Sequence, residues 1–252
     1  MPVEQLRLPA TLGLSWQVAR WKRVVPARLG GAALLVPCVL FFLPLGDFGW
    51  FQNWRHGARV AISLSAVAAT VALGRDSAAP QPSEFWVYQK GLSLADWGLA
   101  RWLLDMALVT TILSVWLVAF WAASFVAGDP ERLREIAALV AWLLLLQMSI
   151  GSLLFVIGAT GSSRGTEYSV LLFFLTLLQP LIAHAAAPPW VGAVANAALP
   201  PIHPALDVRA GIMTGATFRS IMPPLLHVGA YVTLMLVAGT FLLARRRPEE
   251  GA

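Results

Sequence analysis

Side chains that could carry out chemistry are scarce in this 252-residue chain. The phosphate-binding loop G-x-x-x-x-G-K-[ST] needs a lysine followed by a hydroxyl residue. The two lysines do not meet this requirement, because Lys22 precedes Arg23 and Lys90 precedes Gly91. We therefore predict that the chain does not bind ATP through such a loop and that any ATP hydrolysis belongs to a partner.

Metal ligands and activated nucleophiles are not grouped in the sequence either. The stretch GATG at 158–161 has the shape of a nucleophile turn, but Thr160 occupies the nucleophile position, and small residues at a helix end explain it more simply. No H-E-x-x-H pair occurs, and the histidines are far apart. They are His56, His184, His203 and His227. We predict no metal site, and we predict that the chain is not an enzyme.

A few polar residues lie within or beside long apolar runs. Asp105 follows Arg101 by four residues, the spacing at which helical side chains meet, so the two are predicted to form a structural ion pair. Gln147 and Gln179 are candidates for lining a substrate path. The alternative for both amides is a hydrogen bond between neighbouring helices.

The composition is typical of an integral membrane protein. The chain is 58% hydrophobic and only 12% charged, and its mean hydropathy is +0.70. Apolar runs long enough to cross the roughly 30 Å of hydrocarbon recur along it. We predict an all-α, polytopic protein with six transmembrane helices, at 30–46, 58–74, 102–127, 137–159, 169–187 and 225–244.

Basic residues predict the orientation of these spans. An even number of spans places both termini on one side, and Lys and Arg are retained in the cytoplasm. With cytoplasmic termini, 12 of the 18 basic residues lie inside, including the run Arg245–Arg247 after the last span. The net charge of +5 is explained by this orientation, so no nucleic-acid partner is predicted.

Two segments outside the spans are predicted to lie at the membrane surfaces. Residues 1–29 form a cytoplasmic leader whose apolar spacing indicates an amphipathic helix at the interface, or else a plain basic leader. The rest of the chain, 30–252, is predicted to form a single transmembrane domain. In residues 188–224 proline pairs, including Pro223–Pro224, are expected to stop helices. This segment is predicted to contain short extracytoplasmic helices, with an ordinary loop as the alternative.

The stretch SEFWVYQKGLSLADWGLARWLLD, which begins at Ser83, mixes charged and aromatic residues between two apolar runs. A short cytoplasmic helix of this kind is suited to docking a protein partner, and an interfacial elbow that contacts only lipid is the alternative. The stretch resembles the coupling segment of type-2 ABC exporter permeases. Its acidic residue, its K/R-[PG]-[LV]-S turn and its arginine before the third span match Glu84, Lys90, Gly91, Leu92, Ser93 and Arg101.

This resemblance implies a function as a transmembrane permease subunit of an ATP-driven exporter. Two copies, or one copy and a related permease, would form the substrate path in a bacterial-type inner membrane. A separate ATP-binding cassette ATPase would carry the ATP and Mg²⁺, so this chain would hold no cofactor. The segment at about 83–101 would dock that partner through Glu84, Tyr88, Lys90, Gly91 and Ser93. The alternative function is a non-transporting membrane scaffold or assembly factor.

Overall fold

The regular elements of the computed structural model are helices. It describes residues 54–74, 87, 93–126, 133–161, 167–168, 171 and 199–246, and no strand occurs among them. The main helices of the described part are α1 (Trp54–Gly74), α2 (Leu94–Val126), α3 (Leu133–Ala159), α4 (Ile202–Thr214) and α5 (Phe218–Arg245). For this part of the chain, the prediction of an all-helical protein is confirmed.

Three helices are long and apolar enough to cross a membrane, namely α2, α3 and α5. They coincide with the spans predicted at 102–127, 137–159 and 225–244, so the protein is membrane-embedded. Within the predicted span 58–74, α1 has a shorter apolar stretch, Ile62–Val71. The predicted span 30–46, nearly all of 169–187 and the leader 1–29 lie outside the described residues, so the count of six spans stays a prediction.

The central helix is α3, which contacts each of the other four helices. In its most apolar window, 56% of the residues are buried within the protein, against 28% in α2 and 17% in α5. The outward face of α5 instead exposes large apolar side chains, among them Leu226, Leu234 and Phe241. Such a face suits contact with lipid, whereas the sequence of α3 is apolar because it forms the core.

Buried apolar side chains form two main clusters around α3. The larger one joins all five helices and includes Ile62, Val109, Leu143, Ala205 and Val228. The second cluster joins the beginning of α2 to the ends of α3 and α5. It consists of Trp102, Met106, Phe155, Ala159 and Leu243. The beginning of α2 is therefore packed against both other candidate spans.

Helix α4 is joined to α5 by a tight turn. Gly215 ends α4 with a φ of 71°, a conformation that glycine adopts at little cost. The N–H of Ala216 then donates to the carbonyl of Gly211 at 2.8 Å, as in common helix endings. Pro204 lies in the first turn of α4, where a missing N–H removes no helical hydrogen bond.

The expectation that Pro223–Pro224 stops a helix is wrong. Helix α5 begins at Phe218, earlier than the predicted 225, and continues through both prolines. Each proline deprives the carbonyl four residues earlier of its N–H donor, and these carbonyls belong to Arg219 and Ser220. Both residues lie in the exposed first turn, where water or lipid headgroups can provide the missing donors.

Replacing these prolines should therefore stabilise α5. In the variant Pro223→Ala/Pro224→Ala, the two carbonyls regain helical partners, and we expect the melting temperature in detergent to rise, corresponding to at most ~3 kcal/mol per site. Pro204→Ala is the matched control, and it should leave the melting temperature unchanged. A lower melting temperature in the double variant would show that the proline rings are needed for packing.

Candidate functional site

The candidate functional site is the end of the protein at which α2 begins. Of the five residues predicted to dock a partner, the structure describes only Ser93. Glu84, Tyr88, Lys90 and Gly91 lie outside the described residues. Their role in docking therefore stays a prediction.

Ser93 is the N-cap of α2. Its hydroxyl oxygen accepts a hydrogen bond from the backbone N–H of Asp96 at 3.0 Å, and its carbonyl accepts one from Trp97 at 3.1 Å. The first bond satisfies an N–H group that has no partner within the helix, and the second is the first regular hydrogen bond of the helix. The spacing Ser93-x-x-Asp96 is the sequence signal for this cap, and it was not used in predicting where α2 begins. A docking role for Ser93 stays a prediction beside this structural one.

Helix α2 extends well beyond its predicted transmembrane part. It has 33 residues and begins at Leu94, whereas the span was predicted from 102. A helix of that size is about 50 Å long, and the hydrocarbon layer is only about 30 Å thick. The last part of the predicted docking segment, 94–101, is thus one continuous helix with the span.

The first turn of α2 packs against residues that precede it. Val87 forms a small buried cluster with Leu94 and Trp97. The indole N–H groups of Trp97 and Trp102 are also buried, and neither has a hydrogen-bond partner among the residues that the structure describes. A buried polar group without a partner costs free energy, and the Trp102 indole nitrogen lies in the interior, 3.4 Å from where a Cβ atom on Gly151 of α3 would be.

The predicted pair Arg101 and Asp105 lies one turn apart on α2. Both side chains are half-buried near the second cluster. The ion pair between them stays a prediction.

Gln147 joins α3 to α2 through hydrogen bonds. The side chain is 1% exposed, and its amide nitrogen donates to the carbonyl of Met106 at 2.6 Å and to the hydroxyl of Thr110 at 3.1 Å. The Thr110 hydroxyl also lies 2.8 Å from the Met106 carbonyl. Both amide hydrogens of Gln147 are thus used within the protein. Its role in lining a path stays a prediction, and Gln179 lies outside the described residues.

A charged cluster that was not predicted lies at the opposite end of α3. The Arg59 guanidinium of α1 donates to the Glu135 carboxylate of α3 at 2.9 Å. Arg209 of α4 lies nearby, and its pKa is lowered from the ordinary value by burial and by the like charge of Arg59. Since 76 positions separate Arg59 from Glu135, no local spacing could have revealed this pair.

Comparison with known proteins identifies no relative. No protein-family model, curated protein or solved structure matches this chain. The resemblance to type-2 exporter permeases therefore depends on the residues quoted above.

Removing the Gln147 hydrogen bonds should weaken the contact between α2 and α3. We expect Gln147→Leu to lower the free energy of unfolding by roughly 1 kcal/mol, the scale of polar contacts between membrane helices. Ser149→Ala is the control, because the equally buried Ser149 hydroxyl donates only to Leu145 of its own helix. Thermal unfolding in detergent measures both. Equal melting temperatures for Gln147→Leu and the unsubstituted protein would show that these hydrogen bonds contribute nothing.

Neutralising Glu135 should remove the negative charge that offsets the positive charges of Arg59 and Arg209. We expect Glu135→Gln to lower the stability by about 0.5–1 kcal/mol, because the pair with Arg59 is partly exposed. The effect should be smaller at high salt, since exposed charges are screened. Thermal unfolding at two salt concentrations measures it, with the exposed Glu167→Gln as a neutral control. A salt-independent loss would show that the carboxylate acts through packing.

Proposed function

We propose that this chain is the permease subunit of an ATP-driven exporter of the type-2 ABC class. Two permease subunits form the substrate path, and a separate ATPase docks on the segment at about 83–101. The observation that carries the proposal is the continuity of α2, which begins directly after Ser93 and extends through the second cluster into the membrane. A partner that acts on Ser93 would thus act on one continuous helix that includes the span.

The residue types in the docking segment suit a protein interface. Glu84 and Lys90 carry opposite charges, which would fix the register of a partner and steer its approach. Tyr88 supplies an aromatic anchor of the kind enriched in binding hot spots. Ser93 caps the first turn of α2 and so stabilises the helix at the point where a docked partner would act on it.

The ATPase supplies the chemical energy, and the permease converts it into a change of conformation. ATP and Mg²⁺ bind to the partner, whose nucleotide-bound and nucleotide-free states hold the docking segments in different positions. The two states therefore favour different arrangements of the spans, which is a shift in population set by differential binding. No reacting group is required of this chain, consistent with the scarcity of catalytic residues in its sequence.

Purification with the partner and charge reversal test the proposal together. The tagged chain, extracted in mild detergent, should copurify with a P-loop ATPase subunit at equal stoichiometry. In Glu84→Lys/Lys90→Glu, the net charge is preserved but the complementarity is inverted. We expect this variant to insert in the membrane normally, and we expect ATP hydrolysis to fall to the basal rate of the isolated partner.

The control variant is Glu4→Lys/Arg7→Glu, which inverts charges in the leader predicted to lie on the same side. It should retain the partner and its activity. A chain that purifies alone, is stable in several detergents and shows no ATP hydrolysis would refute the permease and favour the scaffold.

A further inference from the structure

Phe155 of α3 lies at the point where three helices meet. Its side chain is fully buried, and its ring separates the backbones of Gly98 in α2 and Gly239 in α5. A Cβ atom added at Gly239 would collide with Cδ1 and Cε1 of the ring. A Cβ atom added at Gly98 would lie 3.4 Å from Cε2. The two glycines therefore face different edges of one aromatic ring.

Leu243 of α5 completes this contact. Its Cδ1 atom lies against Gly98, so α5 also touches α2 directly. Leu243 and Phe155 share the second cluster with Trp102 and Met106 of α2. The beginning of α2 is thus in contact with α3 and α5 at the same level, one turn after its N-cap.

The close packing at this point leaves little room for independent movement. Packed protein interiors have few voids, and they change between discrete arrangements instead of deforming smoothly. Neither Gly98 nor Gly239 has a side chain that could change rotamer to absorb a movement of its helix. A displacement of α2 toward this point would push on the Phe155 ring, which contacts Gly239 of α5, or on Leu243, which belongs to α5.

We propose that Phe155 is a positioning residue that transmits movement of α2 to α5. This inference rests on the proposed function, which supplies the force on the segment before α2. It adds a route through the membrane domain, from the docking segment through α2 and Gly98 to the Phe155 ring, and from the ring to Gly239 and α5. A ring that only fills space would affect stability but would not affect how α5 responds to nucleotide.

The experiment follows the end of α5 in the intact complex with its ATPase. The lone cysteine is removed as Cys38→Ser, and a single nitroxide label is attached at the exposed position as Phe241→Cys. The accessibility of the label to a water-soluble relaxation agent is measured without nucleotide and with a non-hydrolysable ATP analogue. We expect a nucleotide-dependent change in accessibility when Phe155 is present. Phe155→Ala should lose most of that change while the partner still binds and hydrolyses ATP.

Two glycines of α5 provide a matched pair of variants. Gly239→Ala pushes on the Phe155 ring, whereas a Cβ atom at Gly229 would meet nothing within 4 Å. Gly239→Ala should reduce the nucleotide response, and Gly229→Ala should retain it in full. Phe155→Leu keeps the site apolar and serves as the second variant should Phe155→Ala fail to fold.

The outcomes distinguish the proposed role of Phe155 from the proposed permease function. If Phe155→Ala or Phe155→Leu keeps the full nucleotide-dependent change in label accessibility with the ATPase bound, Phe155 does not transmit movement to α5. The proposal that the chain is a permease would not be affected. If Gly239→Ala lowers the melting temperature but keeps the full nucleotide-dependent change in label accessibility, Phe155 contributes to packing alone. Failure of any ATPase subunit to copurify with the unsubstituted chain would overturn the proposed function and the transmission with it.

Discussion

Helices in a lipid bilayer do not gain from burying apolar surface against one another, since the lipid is equally apolar. Their association depends on close packing and on a few polar contacts, and the second cluster brings α2, α3 and α5 into close contact. Gly98 and Gly239 let the backbones of α2 and α5 approach the Phe155 ring from different sides. Nearby, Gln147 binds the Met106 carbonyl and thereby fixes α2 against α3. The positions of all three candidate spans depend on these contacts.

The same contacts determine which helices a partner could move by acting at the beginning of α2. Helix α2 is continuous from its Ser93 cap onward, and its first turns pack against Phe155 and Leu243. A force applied before Ser93 therefore reaches the core of the bundle within about one helical turn. The outward face of α5 is mostly in contact with the surroundings of the protein. If a partner docks before α2 as proposed, its movement would reach α5 through the central helix.

Apolar length was sufficient to predict α2, α3 and α5, because a span must supply enough apolar residues to cross the hydrocarbon. Helix ends were predicted less well. The beginning of α2 depends on the Ser93 cap, and α5 continues through Pro223 because the freed carbonyls lie in an exposed turn. The pair of Arg59 and Glu135 was out of reach, since it is created by the packing of α1 on α3. The packing of Phe155 against two glycines likewise follows no sequence pattern.

Site-specific crosslinking in native membranes would show whether a nucleotide-hydrolysing protein docks on the segment preceding α2, as we propose. A photoreactive phenylalanine analogue placed at position 88 instead of Tyr88 keeps an aromatic side chain at the predicted anchor. On illumination, we expect a covalent adduct with a cytoplasmic protein that contains the loop G-x-x-x-x-G-K-[ST]. Adducts with lipid alone, at full membrane insertion of the chain, would contradict it and identify the segment as an interfacial elbow.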